Sequence, residues 1–244
     1  MTESFQRVSK IQYGSQAAWR KQYADQGRRK RMAALRWIAR RLGANALLAP
    51  IPLSPQEACA TELAMITRLK SLGVLVPDIL EAGETHLVLS DIGVLFSAEC
   101  RRRKSLEQRS ALLQDGFEAI NDLHRRGGYL SQAFARNLTV LDDRIGFIDL
   151  EEDPAKVMSL HAAQARDIMF YVHSTARFMS DAPQEYSRLF ESSLSQLPPE
   201  IKVEIAKVVP VLRWLEPFTR ILSKRARMAG MAWRQLIGMH QTNV

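Results

Sequence analysis

Cysteine is scarce. The 244 residues include only Cys59 and Cys100, which cannot build a disulfide framework, so a reducing compartment is expected. Five histidines add no zinc-ligand spacing. No run of 18 apolar residues occurs, which argues against a membrane-spanning helix. Met1 to Arg20 is polar and has no apolar segment of the kind that secretory signals carry; a cytoplasmic chain is expected. Glycine is nearly missing from the N-terminal region, where Gly14 stands alone before Gly27. There is no helix-turn-helix signature, aromatic strand platform, internal repeat or low-complexity segment. These absences make nucleic acid the least favoured of the partners considered.

What is present suits a globular protein. Apolar residues make up 46% and charged residues 25% of a length that fits one large domain or two tightly joined lobes. The net charge of +8 is unevenly spread. Residues 1–50 hold eleven Lys or Arg against two acids, and residues 201–244 hold eight against two. Such a split fits an anionic partner, whether nucleotide, nucleic acid or membrane headgroups, and equally a solubilising surface.

The most informative stretch is 121–154. An amphipathic helix, predicted over Leu106 to Arg125 with Leu106, Leu113, Phe117, Ile120 and His124 on one side, ends at Gly127-Gly128. Two short apolar runs follow, Leu138 to Leu141 and Ile145 to Ile148, with Asp142-Asp143 as a turn between them. Asn137 lies at the mouth of the first and Asp149 at the exit of the second. A tight hairpin brings an amide and a carboxylate together there, oxygen donors suited to a hard cation such as Mg2+.

Leu123-His124, Asn137 and Ile148-Asp149-Leu150-Glu151 together resemble the catalytic and metal-binding segment of the protein-kinase-like superfamily, most closely its small lipopolysaccharide-kinase-like branch. The resemblance implies an α+β, two-lobed fold. Residues 1–92 would be a small lobe with antiparallel strands and a basic helical insertion at 28–42. Residues 93–244 would be a mainly helical lobe carrying the catalytic-like loop 129–154. It implies a nucleotide and Mg2+, with Asn137 and Asp149 as metal ligands and Glu151 in support. One position departs from the pattern: five residues before Asn137, where the family has its catalytic Asp, stands Gln132. A Gln can orient a hydroxyl but cannot take its proton. Asp153 is a candidate stand-in for the missing base.

Other positions acquire roles through the same resemblance. Val8 to Tyr13 and Ala17 to Tyr23, around Gly14-Ser15, form a predicted hairpin. On it Lys21 matches the phosphate-facing strand lysine, with Arg20 as the alternative, and Gly14 alone stands where the family has several glycines. Ser54, Pro55 and Glu57 predict a capped helix to about Leu72, ending at Gly73. On that helix Glu62 matches the glutamate that pairs with the lysine. Strands are predicted at Val76 to Ala82 and Thr85 to Leu89. Ser90 to Gly93 would be a hinge, with Leu89 and Ile92 lining the base. Arg166-Asp167, in a helix predicted over 156–178, matches the element that braces the catalytic loop, its Asp accepting from loop N–H groups. His124 reads as a packed histidine.

Elsewhere the residues speak for themselves. The basic amphipathic stretch 28–42 suits either a membrane surface or a solvated face. Pro210 is expected to break the C-terminal helices at 200–209 and 211–222, and a last helix is expected over Lys224 to His240. Three functions fit. One is a divergent phosphotransferase acting on a sugar, lipid headgroup or protein hydroxyl, peripheral to the inner face of a membrane. Another is a pseudokinase regulating a protein partner. The third is a nucleic-acid-associated protein.

Overall fold

The computed structural model describes residues 7–25, 45–48, 51–221, 230, 232–234 and 236–238. The strands are β1 (Val8–Tyr13), β2 (Gln16–Gln22), β3 (Ile79–Ala82), β4 (His86–Ser90), β5 (Val94–Leu95), β6 (Leu138–Leu141) and β7 (Arg144–Phe147). The helices are α1 (Pro55–Ser71), α2 (Phe96–Arg102), α3 (Leu106–Arg125), α4 (Leu160–Thr175), α5 (Pro183–Ser195) and α6 (Pro199–Ile221). One antiparallel sheet has the order β1-β2-β4-β3 and the other β5-β6-β7. The result is a mixed α+β arrangement in two parts, an N-terminal antiparallel sheet and a mostly helical C-terminal region. The basic stretch 28–42 and much of the expected helix 224–240 lie outside the described residues.

Local signals set most boundaries. At Gly14 the backbone turns with φ +60°, and β1 pairs with β2 from Tyr13 opposite Gln16 to Val8 opposite Lys21. Ser54 caps α1 with a full capping box: its hydroxyl accepts from the Glu57 N–H, and the Glu57 carboxylate accepts from the Ser54 N–H. The chain leaves α1 through Gly73 at φ +74°. Asp142 and Asp143 both adopt positive φ, the geometry that a two-residue hairpin turn requires.

Several expectations are corrected. The strand expected from Val76 begins at Ile79. Leu106 is exposed, because it starts α3 before the helix reaches the core. The helix expected over 156–178 starts at Leu160, where Ser159 accepts from the Ala162 N–H, and a short 3-10 turn occupies Pro154–Lys156. Its end, Ala176–Met179, is also a 3-10 turn. Pro210 does not break the chain; α6 runs through it. A proline costs a helix one N–H, but its neighbours Val208, Val209 and Leu212 are buried, so packing holds the helix together while the ring faces solvent.

The large aromatic side chains sit where α3, α4 and α5 meet. Phe117 packs edge-on to Phe190 with ring centroids 5.6 Å apart, and the Tyr171 hydroxyl donates to the Leu113 carbonyl at 2.7 Å. α4 is buried over most of its length. That buried helix is the support on which the loop between α3 and β6 rests.

Candidate functional site

A cavity of about 430 Å³ opens between the N-terminal sheet and the β6–β7 hairpin. This is within the usual range for small-molecule sites. Its apolar end is made by Trp19, Leu89, Ile92, Leu95 and Ile148; its polar end by Lys21, Glu62, Asn137 and Asp149. Thr139 also lines it, and its buried hydroxyl has no hydrogen-bond partner among the described residues. Gly93 reaches the wall at φ +99°, where a Cβ would lie 2.3 Å from the Val140 carbonyl oxygen, so only glycine lets the chain pass this close.

Lys21 is the centre of the polar end. Its Nζ donates to Glu62 Oε2 at 2.6 Å and to Asp149 Oδ1 at 2.7 Å. Burial works against the ammonium, yet Glu62 and Asp149 together push its pKa above the ordinary value. Glu62 is 1% exposed and also accepts from the Tyr23 hydroxyl at 2.6 Å and the Leu150 N–H at 3.3 Å. Asp149 sits at φ +62°, an uncommon conformation outside glycine that Asp tolerates better than most. Burial tends to raise its pKa, but Lys21, then Arg7 and Arg136, hold it below the usual carboxylate range. Glu62, Asp149 and Glu151 form an acidic cluster whose ligand atoms all lie within 4.8 Å of one another, a donor set that could in principle chelate a divalent cation.

The hairpin carries Asn137 and Asp149 to the same cavity, with the Ile148 N–H donating to the Asn137 carbonyl at 2.9 Å. Asn137 Nδ2 donates to the Gln132 carbonyl at 3.0 Å, which leaves the amide oxygen available as a ligand. The loop before it is braced from below. Asp167 is fully buried, and its Oδ2 accepts from the Leu130 N–H at 2.8 Å and from His124 Nε2 at 3.2 Å. His124 is thus a packed, hydrogen-bonded residue.

Leu89 and Ile92 meet in the cavity with Lys21, Glu62, Asn137 and Asp149. Gln132 does not join them. Its amide turns away and donates to Glu152 Oε1 at 2.8 Å. Glu152 also accepts from Arg166 Nη2 at 3.3 Å; burial pushes its pKa up, against the pull of Arg166 and Gln132. Asp153 is directed elsewhere, accepting from the Tyr129 hydroxyl at 2.7 Å and the Ala155 N–H at 3.1 Å, and it lines a separate cleft behind α1. It is therefore no substitute for an acid at position 132. Arg20, the alternative to Lys21, is exposed. The Gly14 turn forms where the sequence expects it, and the register puts it at the end of the hairpin remote from Lys21, with Gln16 about 17 Å from Lys21 along the strand.

Four residues escaped the sequence reading. Tyr23 lies two positions beyond Lys21, and strand alternation could have found it. Arg7 could have been found from the hairpin register, since Val8 is opposite Lys21. Arg136 and Glu152 give no local signal; their roles come from contacts made across the fold. No family model matches the chain, and no curated protein matches it.

Proposed function

We propose that the chain is a divergent phosphotransferase of protein-kinase-like architecture that binds ATP with Mg2+ in the cavity. One observation carries this reading: a buried lysine held between a helix glutamate and a hairpin aspartate at the polar end of an otherwise apolar cavity. The apolar end suits a flat heterocycle. Ser90, Asp91, Ile92 and Gly93 line the cavity beside that apolar end. Lys21, oriented by Glu62, would contact phosphate oxygens.

Asn137 and Asp149, with Glu151 in support, would hold Mg2+, which neutralises phosphate charge when bound. The oxygen-only donor set fits such a hard cation. Asp167 keeps the loop in place for an acceptor hydroxyl. Catalysis would rest on positioning and charge, because Gln132 cannot accept a proton. The acceptor would be a sugar, lipid headgroup or protein hydroxyl, and the basic sequence at 28–42 favours one presented at an anionic membrane surface.

A second reading is favoured by Gln132 itself. Its amide is engaged by Glu152 and stands away from the cavity, as a nucleotide-responsive regulatory protein without transfer activity would allow. Calorimetric titration with ATP, with and without Mg2+, tests the shared premise. Binding should require Mg2+, and Asp149→Ala should weaken it at least tenfold. No binding at millimolar ATP overturns both readings. Binding without transfer to any acceptor or water leaves the regulatory one.

A further inference from the structure

Resting on the nucleotide reading of the cavity, we propose that Arg7 and Arg136 form a clamp for the polyphosphate, replacing the glycine-rich loop that the sequence lacks. The hairpin register dictates where the first strand meets the cavity. Val8 is opposite Lys21, and the Gln22 N–H donates to the Arg7 carbonyl at 2.8 Å, so residue 7 enters beside the lysine. The Arg7 side chain lines the cavity and ion-pairs with Glu151, while its buried Nε has no partner among the described residues. Arg136 lines the cavity from the loop before β6, and its guanidinium rests 4.5 Å from the centre of the Phe134 ring.

The balance of charge shows why these two cations matter. Lys21 is already shared by Glu62 and Asp149, so it offers little uncompensated charge to a triphosphate. Arg7 and Arg136 reach the same end of the cavity from the sheet and from the helical region, and both act electrostatically on Asp149. Guanidinium groups bind phosphate through paired N–H donors, without the backbone N–H cradle that glycines permit. Glu151 is then a competitor. It holds Arg7 when no phosphate is present and must release it when phosphate binds.

This yields effects of opposite sign. The test is calorimetric titration of the full chain with tripolyphosphate in the absence of Mg2+, with MgATP, and with adenosine. Arg7→Gln and Arg136→Gln should each weaken tripolyphosphate binding at least fivefold. Glu151→Gln, which frees Arg7, should tighten it at least threefold. Adenosine binding should stay unchanged in all three variants. Thermal melts establish that each variant is folded, and Arg136 is exposed, so its replacement leaves packing intact. Tripolyphosphate binding that is the same in wild type and both arginine variants overturns the clamp, and ATP and adenosine binding in that case leaves the nucleotide reading standing. Arginine-dependent tripolyphosphate binding without ATP or adenosine binding does the reverse. A wild-type protein that binds none of the three overturns both.

Discussion

Lys21 donates hydrogen bonds to two carboxylates in different surroundings, with Glu151 farther off at 3.7 Å. Glu62 is closed off and fully engaged by Lys21, Tyr23 and the Leu150 N–H. Asp149 has 39% of its side chain open, facing the cavity. Removing the lysine therefore strands a buried carboxylate, and Lys21→Met should cost about 3 kcal/mol of stability. The pH dependence of that difference has a definite sign. Lys21 has a raised pKa, so its contribution is complete below about pH 10.4 and is lost as pH rises through the folded value. Asp149 has a lowered pKa, so its contribution is complete above about pH 3.9 and is lost as pH falls through the folded value. The contribution of these two groups to wild-type stability should thus be constant from about pH 5 to 9 and fall outside that range. Denaturant midpoints of the wild type across pH would read it. A contribution that changes near neutrality would mean that another titrating group governs the pair.

At the scale of elements, what the sequence made legible was local. The Ser54–Glu57 capping box, the Gly14 turn and the Asp142-Asp143 turn each rest on residues within four positions of one another. So do the limits of α3, which match the sequence expectation at both ends. The Lys21, Glu62 and Asp149 contacts were reachable only through a family resemblance, since they join residues 41 and 128 positions apart. Arg7 with Glu151, 144 positions apart, had no such guide. α6 is the opposite failure, where a strong local signal lost to packing. Pro210 faces solvent while Val208, Val209 and Leu212 are buried, so replacing it removes no core contact. Pro210→Ala should restore one helical hydrogen bond and raise stability by about 1 to 3 kcal/mol. A lower denaturation midpoint would show that the proline sets a bend needed for packing.

At the scale of the molecule, the distribution of charge along the sequence bears on the proposed acceptor. Residues 1–50 carry eleven basic residues against two acids, a local net charge of +9, greater than the +8 of the whole chain. The same N-terminal part supplies Lys21 and the Arg7 edge of the cavity. No described helix is long and apolar enough to cross a membrane, so attachment to a bilayer would rest on charge and on the amphipathic sequence at 28–42. Each basic residue near an anionic surface contributes about 1 kcal/mol, and the attraction decays within a Debye length of about 10 Å at 0.1 M salt. Four or five engaged residues would give about 5 kcal/mol, enough for measurable but salt-sensitive binding. The protein should therefore sediment with vesicles containing phosphatidylglycerol at 0.05 M salt, and not with pure phosphatidylcholine vesicles. It should be released at 0.5 M salt if charge dominates, and retained in part if the apolar stripe of 28–42 inserts. Replacing Arg28, Arg29, Lys30 and Arg31 with Gln should abolish the sedimentation and leave ATP affinity unchanged, because none of them is among the residues proposed to hold ATP. Equal sedimentation with both lipids, or none with either, would place the acceptor in solution and reduce the basic stretch to a solubilising surface.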